Sequence, residues 1–300
     1  NTVTPHYQDY VLVIGESVRR DYMSLYGFPV ENSKFLKAVK GTILEGFTST
    51  AANTTTSLLR TFIQMKGTDF VYENNIISLA KKAGFETFWL SNQGLVGEWD
   101  TPMARLASLA DHRKFMKLGH YESKPVYDSS LLAPFKEYLS LPATGPRLFI
   151  LHLVGSHQLF ENRLEAPLHY SYYNTNLSSY IQTIEQTDRF LEQIYETLQM
   201  QKHPFSLLYF SDHGLETKDR NTPNTSLAHG ISKACFCVPF VMINSDDTQH
   251  KEVHINKSGY HFIEGFAQWL GIKENSLDSS YDFLSPPADT LKVFTGEYVP

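Results

Sequence analysis

The chain has 300 residues, 42% of them hydrophobic and 13% aromatic, which is enough apolar material for a large buried core. This composition excludes a disordered or fibrous protein. The formal net charge of −6 provides no dominant positive field, so nucleic acid is not an expected partner.

Short β-rich apolar runs alternate with amphipathic stretches, a rhythm that predicts βαβ units and a largely parallel sheet. No repeat, low-complexity run or flexible linker divides the chain, so we expect a single domain over residues 1–300. In chain order, the predicted strands are 10–15, 87–91, 148–154, 206–211 and 238–243. The predicted helices are 54–64, 75–83, 129–139, 177–200 and 260–270.

The longest apolar runs, 10–15 and 148–153, are far shorter than the roughly 20 residues that a membrane-spanning helix needs. We therefore expect no part of this chain to cross a membrane. Strand-like sequence begins soon after Asn1 without a secretory leader, as expected for a soluble domain of a longer protein.

Three long stretches between the predicted elements lack a clear period, namely 94–124, 157–176 and 216–234. In α/β sheets, such irregular stretches commonly follow the carboxyl ends of strands, where ligands bind. We therefore expect the chemistry of the protein to lie there.

Two predicted strands end directly in groups that bind metal ions. Glu16 follows the first strand, and Asp212 and His213 follow the fourth. An Asp–His pair suits zinc or manganese better than calcium. Two structural explanations stay open, because Glu16 also fits a helix N-terminus and the Asp–His–Gly sequence also fits a surface turn.

The segment 48–57 is dense in hydroxyl groups and leads into a predicted helix. Backbone N–H groups at a helix N-terminus bind anions, so a hydroxyl there could be aimed at a phosphoryl group. Simple helix capping by Thr and Ser explains the same composition. A hydroxyl needs activation to become a nucleophile, and a zinc ion held by Glu16, Asp212 and His213 would supply it.

Four further residues draw attention by their position. His157 and His229 lie in the irregular stretches after predicted strands, although each alone also fits a structural or solvent-facing role. Cys235 and Cys237 are separated by one residue in an extended stretch, at the far edge of disulfide geometry. We expect both cysteines to be free, buried thiols.

Taken in order, these features resemble the phosphoethanolamine transferases of the alkaline phosphatase and sulfatase superfamily. The resemblance covers nearly the whole chain and rests on the order of motifs that are modest individually. It implies an alkaline-phosphatase-like α/β fold, with a largely parallel central sheet flanked by helices on both faces. The motifs are VIGES at 13–17 with LYGFP at 25–29, the hydroxyl-rich segment, WLSNQ at 89–93, HLVGSH at 152–157, SDHG at 211–214, and AHG at 228–230 before VPF at 238–240.

The resemblance implies one catalytic zinc ion bound by Glu16, Thr54, Asp212 and His213, and it leaves a second zinc ion open. It also implies that Thr54 is the catalytic nucleophile. Spacing in this segment varies within the family, so Thr55 stays an alternative.

The resemblance further implies that His157 and His229 are catalytic and bind the phosphate group or a second zinc ion. Asn92 and Gln93 are expected to bind substrate with them. The family commonly places a Glu directly after Asp-His-Gly, whereas Leu215 comes first here, so the role of Glu216 stays open.

The implied reaction is a two-step transfer from phosphatidylethanolamine through a covalent phospho-threonine. Two cysteines are too few for the several disulfides of lipid A-modifying members, so the likeness is to the branch acting on lipopolysaccharide core or periplasmic glucans. We expect a monomer, held at the periplasmic face of a bacterial inner membrane by an N-terminal domain outside this sequence. The alternatives are a phosphodiesterase, a glycerophosphate transferase, and a non-catalytic lipid-binding relative.

Overall fold

A sheet of eight strands organises the protein, whose computed structural model describes residues 2–98 and 100–296. The strands along the described chain are β1 (Thr2–Val3), β2 (Asp9–Gly15), β3 (Gly41–Thr48), β4 (Ile63–Lys66), β5 (Asp69–Asn75), β6 (Glu86–Gly94), β7 (His112–Lys117), β8 (Arg147–His152), β9 (Phe205–Ser211), β10 (Glu216–Lys218), β11 (Ser226–Ala228), β12 (Phe240–Asn244), β13 (His250–Ser258) and β14 (Ile272–Lys273). The α-helices are α1 (Lys34–Ala38), α2 (Thr54–Phe62), α3 (Ile76–Lys82), α4 (Thr101–Ala107), α5 (Leu132–Leu139), α6 (Thr175–Gln201) and α7 (Phe262–Trp269).

The central sheet has the order β13-β3-β12-β9-β2-β8-β6-β7. Strand β12 is antiparallel to both of its neighbours, and every other pair is parallel. The expected largely parallel sheet is therefore confirmed, with the five predicted strands present as β2, β6, β8, β9 and β12.

The sequence prediction misses β3, β7 and β13. In strand β3, Glu45 and Gly46 break the apolar run that marks a buried strand. Strands β7 and β13 form the two edges of the sheet and are largely polar, as exposed edges usually are. The stretch 94–124 is thus not irregular, since it contains both α4 and β7.

Helices cover both faces of the sheet, as expected. Tyr10, Leu12 and Ile14 of β2 face the core formed with α2, α3, α4 and α7. Val11 and Val13 face the opposite core, formed with α1, α5 and α6. This alternation follows from the two-residue period of a strand, and it makes β2 apolar throughout because both of its faces are buried.

Asparagine caps fix the starts of two helices that matter for the site. Asn53 is the N-cap residue of α2 and accepts a hydrogen bond from the Thr56 N–H. Asn174 is the N-cap residue of α6 and accepts one from the Leu177 N–H. Helix α6 starts two residues before the predicted position because of this cap. Within the described chain, no helix has both the length and the apolar character required to cross a bilayer.

Candidate metal centre and cavity

Three of the predicted metal ligands meet at the carboxyl ends of β2 and β9. Because Gly15 pairs with Ser211, the next residues, Glu16 and Asp212, leave the sheet side by side. His213 Nε2 lies 3.2 Å from Glu16 Oε1 and 3.6 Å from Asp212 Oδ2. All three side chains are fully buried, and one ligand atom from each lies within 4.8 Å of the others. The three groups are close enough to share one ion.

Thr54 completes this cluster from the other side. It is the first residue of α2, and its Oγ1 donates a hydrogen bond to Glu16 Oε2 at 2.8 Å. The same oxygen lies 3.4 Å from His213 Nε2. The hydroxyl therefore stands at a helix N-terminus, where backbone N–H groups favour negative charge, and within reach of two predicted ligands.

The hydrogen bonds around the cluster leave metal-binding atoms pointing inward. His213 Nδ1 donates to Gly214 O at 2.7 Å, so Nε2 is the nitrogen turned toward the carboxylates. Asp212 Oδ1 accepts from the backbone N–H of Ser17 and of His213, whereas Oδ2 is buried with no hydrogen-bond partner in the described chain. An orphaned carboxylate oxygen beside an imidazole nitrogen suits zinc, so these residues fit the ion.

The electrostatics of the cluster also favour a cation. Burial, followed by the charge of Glu16, raises the pKa of Asp212 to about 8. Burial opposes the charged form of His213, but the two carboxylates prevail and raise its pKa to about 9. Protons are therefore drawn to this cluster, and a metal ion would take their place.

A cavity of about 490 Å³ opens beside the cluster. Four of its lining residues are sequence-predicted, namely Thr54, Gln93, His157 and His229. Thr55 lines it as well. The cavity also contains Asp100, Tyr121 and His152, which the sequence prediction missed. Of these, His152 could have been found, because it ends β8 beside Ile14 in the same way that Glu16 follows β2.

The two predicted histidines lie next to one another in this cavity. The His229 ring is 5.3 Å from the His213 ring and 6.1 Å from the His157 ring, measured between centroids. Burial lowers the pKa of both His157 and His229, that of His229 to about 4. Both are therefore neutral at neutral pH. His229 directly follows β11, which pairs with β10, so the stretch 216–234 contains a short hairpin that the sequence prediction missed.

The structure separates the two predicted substrate-binding amides. Gln93 lines the cavity, and its Nε2 lies 3.3 Å from Glu16 Oε2 as a donor. Asn92 is fully buried and donates from Nδ2 to Val126 O and to Asp128 Oδ1. The structure therefore does not bring Asn92 into the cavity, since its side chain points to the opposite side of β6 from that of Gln93.

Asp128, which was not predicted, holds the turn beside the candidate metal centre. Its carboxylate accepts hydrogen bonds from Asn92 Nδ2 at 2.8 Å and from the backbone N–H groups of Val154 and Gly155 at 2.9 and 2.8 Å. Gly155 has a positive φ of 45°, and a Cβ there would lie 3.1 Å from Glu16 N and O. Asp128 thus presses the turn after β8 against Glu16. No sequence signal marks it, because it lies in a polar stretch without a motif.

Two open questions from the sequence receive structural answers. Cys235 and Cys237 are free, as expected, although Cys237 is only half-buried. Glu216 lies in β10, where its Oε2 accepts a hydrogen bond from Lys218 Nζ, and it is not among the residues that line the cavity.

A parallel-rich sheet with helices on both faces, and with groups that could hold a metal ion at its carboxyl edge, is the architecture of an alkaline-phosphatase-like protein. The chain belongs to the sulfatase family, since the model of that family matches residues 8–272.

Named relatives refine this assignment. The chain is 37% identical over 285 residues to phosphoethanolamine transferase OpgE of Escherichia coli (strain K12), covering 94% of this chain and 54% of that protein. The expected resemblance to phosphoethanolamine transferases is confirmed. The chain spans about half the length of the curated relatives it matches.

Two solved structures share the fold. The C-terminal periplasmic domain of EcEptC from Escherichia coli, in complex with Zn, superimposes with a TM-score of 0.83 at 21% identity, covering 99% of this chain and 92% of that one. The integral membrane protein lipooligosaccharide phosphoethanolamine transferase A (EptA) from Neisseria meningitidis gives a TM-score of 0.70 at 18% identity, covering 94% of this chain and 58% of that one.

Proposed function

We propose that the protein transfers phosphoethanolamine from phosphatidylethanolamine to a hydroxyl group of an envelope glycan or lipopolysaccharide, through a phospho-threonine intermediate on Thr54. The observation that carries the proposal is the Thr54 hydroxyl, which lies at a helix N-terminus 2.8 Å from Glu16 and 3.4 Å from His213. The name of the relative OpgE supports the transferred group.

Glu16, Thr54, Asp212 and His213 would hold one zinc ion, and the zinc complex of the EcEptC domain supports that choice of metal. Bound there, zinc supplies a Lewis acid that favours the ionised hydroxyl and offsets the charge of the reacting phosphate. His157 and His229 are the candidate ligands should a second zinc ion bind.

In the first step, Thr54 Oγ1 attacks the phosphorus of phosphatidylethanolamine. The hydroxyl, whose ionised form bound zinc would favour, gives up a proton, and the diacylglycerol oxygen takes one up on leaving. The bond from Oγ1 to phosphorus forms, the bond from phosphorus to the diacylglycerol oxygen breaks, and diacylglycerol departs after taking up a proton. Phosphoethanolamine stays on Thr54.

In the second step, an acceptor hydroxyl attacks the same phosphorus. His157 and His229 are neutral at neutral pH because burial lowers the pKa of each, so either is able to take the acceptor proton. The acceptor oxygen bonds to phosphorus, the bond to Oγ1 breaks, and Thr54 regains its proton. Gln93 and the two histidines line the cavity where the phosphate would lie.

We also propose that the domain works as a monomer at the periplasmic face of a bacterial inner membrane, attached to an N-terminal membrane domain outside this sequence. The periplasmic origin of the EcEptC domain and the integral membrane nature of EptA support this location.

The direct test is to incubate the zinc-loaded chain with phosphatidylethanolamine labelled in its headgroup, with and without an acceptor glycan. We expect a protein adduct of one phosphoethanolamine at Thr54 by mass spectrometry, and its transfer to the glycan. Release of free phosphoethanolamine without transfer would identify a phosphodiesterase instead. In a parallel incubation with phosphatidylglycerol, an adduct formed only from that lipid would identify a glycerophosphate transferase.

A further inference from the structure

One acidic side chain, Asp100, lies in the wall of the catalytic cavity, among the described residues that line it. Asp100 is buried, with 7% of its surface exposed. The reaction steps proposed above make no use of it. A carboxylate in a cavity that receives an anionic phosphate needs an explanation, because like charges there would weaken substrate binding.

The position of this carboxylate is closely defined. Asp100 Oδ1 accepts a hydrogen bond from Gly94 N at 2.8 Å, and Oδ2 accepts one from Tyr121 N at 3.3 Å. A Cβ on Gly94 would lie 2.7 Å from Oδ1, and a Cβ on Gly97 would lie 2.5 Å from Oδ2. Two glycines therefore keep clear the space that the carboxylate occupies.

Among the described residues, the carboxylate has no partner for an ion pair. Within residues 2–98 and 100–296, no Lys, Arg or His nitrogen lies within 4.0 Å of its oxygens, although Lys117 and His120 are near enough to favour its ionised form. Burial nevertheless raises the pKa of Asp100. A carboxylate can accept about four hydrogen bonds, and the two backbone N–H groups leave acceptor capacity free.

Tyr121 connects this carboxylate to the phosphate side of the cavity. Its backbone N–H binds Asp100, and its ring lies 4.6 Å from the His157 ring between centroids. Tyr121 and Met103 also line the cavity. An aromatic ring in the same cavity as a carboxylate forms a favourable environment for a cation.

We propose that Asp100 and Tyr121 form the subsite that binds the ammonium group of the transferred headgroup. The inference rests on the proposed function, since phosphoethanolamine carries its ammonium two carbons from the phosphate ester oxygen. Asp100 lines the same cavity as Thr54 and His157, and Tyr121 contacts both Asp100 and His157, so a phosphate beside Thr54 would place the ammonium on the side of this carboxylate. A neutral glycerol headgroup would leave the buried carboxylate without its counter-ion, so this subsite selects the donor lipid.

The test compares two diesters that share a leaving group and a two-carbon chain: para-nitrophenyl phosphoethanolamine and ethyl para-nitrophenyl phosphate. They differ in the ammonium group. With the zinc-loaded chain, we expect kcat/KM for nitrophenolate release to be about 10- to 100-fold higher for the first, the range expected of a charge-assisted contact. Asp100→Asn should collapse this ratio toward one, and Tyr121→Leu should lower it about fivefold.

Glu98→Gln is the matched control, because it removes an exposed negative charge two residues from Asp100 and should leave the ratio unchanged. A ratio preserved in Asp100→Asn while both rates fall together would show a purely structural carboxylate and overturn the subsite. Equal cleavage of both diesters by the wild type would also overturn it, while the transferase chemistry stood. If the wild type cleaved neither diester, both the proposed function and the subsite would be contradicted. If Asp100→Asn does not fold, the ratio of the two kcat/KM values in the wild type and in Tyr121→Leu tests the subsite.

Discussion

The metal-ligand cluster and the wall of the cavity beside it are built in different ways. Glu16, Asp212 and His213 directly follow central strands and are fully buried. The wall residues His157 and His229 come from long connections outside the central sheet. The register of β2 and β9 thus determines the cluster, whereas the positions of His157 and His229 depend on how each connection folds; Gln93 and His152 of the same wall lie in β6 and β8.

This difference separates shared chemistry from substrate choice. Strand ends hold reactive groups in a geometry that a whole fold family can keep, while connections vary in length and sequence. Under the proposed function, the cluster would activate the Thr54 hydroxyl, and the wall would recognise the phosphate and the ammonium. The variants below separate the two regions, beginning with the largest expected effect.

Thr54→Ala should abolish transfer, by more than about 10³-fold, because the covalent route needs this hydroxyl. Zinc should stay bound through Glu16, Asp212 and His213, as measured by metal content per chain. Thr55→Ala is the matched control and should keep activity. The opposite result, an active Thr54→Ala beside a dead Thr55→Ala, would place the nucleophile one residue further along α2.

Asp212→Asn should weaken zinc binding by more than about 100-fold, and activity should fall with it. Loss of a residue that only hydrogen-bonds a metal ligand already costs up to roughly that factor, and Asp212 is predicted to bind the ion directly. Its buried Oδ2 has no hydrogen-bond partner in the described chain, which leaves this oxygen able to bind a metal ion. Removing zinc from the wild type with a chelator should give the same loss, reversed by added zinc. Asp69→Asn, at an exposed position, is the control. Full zinc content in Asp212→Asn would contradict this ligand assignment.

His157→Ala and His229→Ala should each slow turnover about 10²-fold, the usual scale for a positioned base, while zinc stays bound. Kinetics and metal analysis of the same preparation check both statements. His6→Ala, on the exposed surface, should change neither. If either cavity variant kept full activity, that residue would have no part in the reaction, and if either lost zinc, it would be a ligand of the primary ion.

Lys117→Met should leave the cluster intact and stabilise the fold at pH 7. Lys117 is 1% exposed, and its Nζ has no hydrogen-bond partner in the described chain. Because such a group costs about 1–3 kcal/mol, the variant should gain free energy of unfolding of that order. Burial lowers the pKa of Lys117 to about 8.

The unfolded lysine therefore holds its proton between pH 8 and about 10.5 while the folded one does not. Wild-type stability should rise relative to Lys117→Met over that interval, so the advantage of the variant should shrink. Urea unfolding at pH 7 and pH 10 measures this. Lys114→Met, exposed on the same strand, should show no such gain. An equal gain at both pH values would mean that the charge of Lys117 is not the cause.

The sequence predicts the cluster better than the wall for a physical reason. Buried parallel strands leave long apolar runs, so the residues after them, Glu16 and Asp212, can be located from the sequence alone. Asp100 and Asp128 act through backbone N–H groups contributed by other loops, and those contacts leave no pattern in the sequence. The antiparallel direction of β12 could not be predicted from the sequence either, because strand direction depends on how the preceding connection crosses the sheet.

The pairing of β2 with β9 also imposes an order in time. Ser17 and Asp212 are 195 residues apart in the sequence, although the Ser17 N–H donates a hydrogen bond to that carboxylate. During synthesis, the strand that carries Glu16 emerges first and must wait for its neighbour. The ligand set is incomplete until residue 213 of 300 has been made. A metal ion held by Glu16, Asp212 and His213 would therefore be bound only after both strands have been made and have paired.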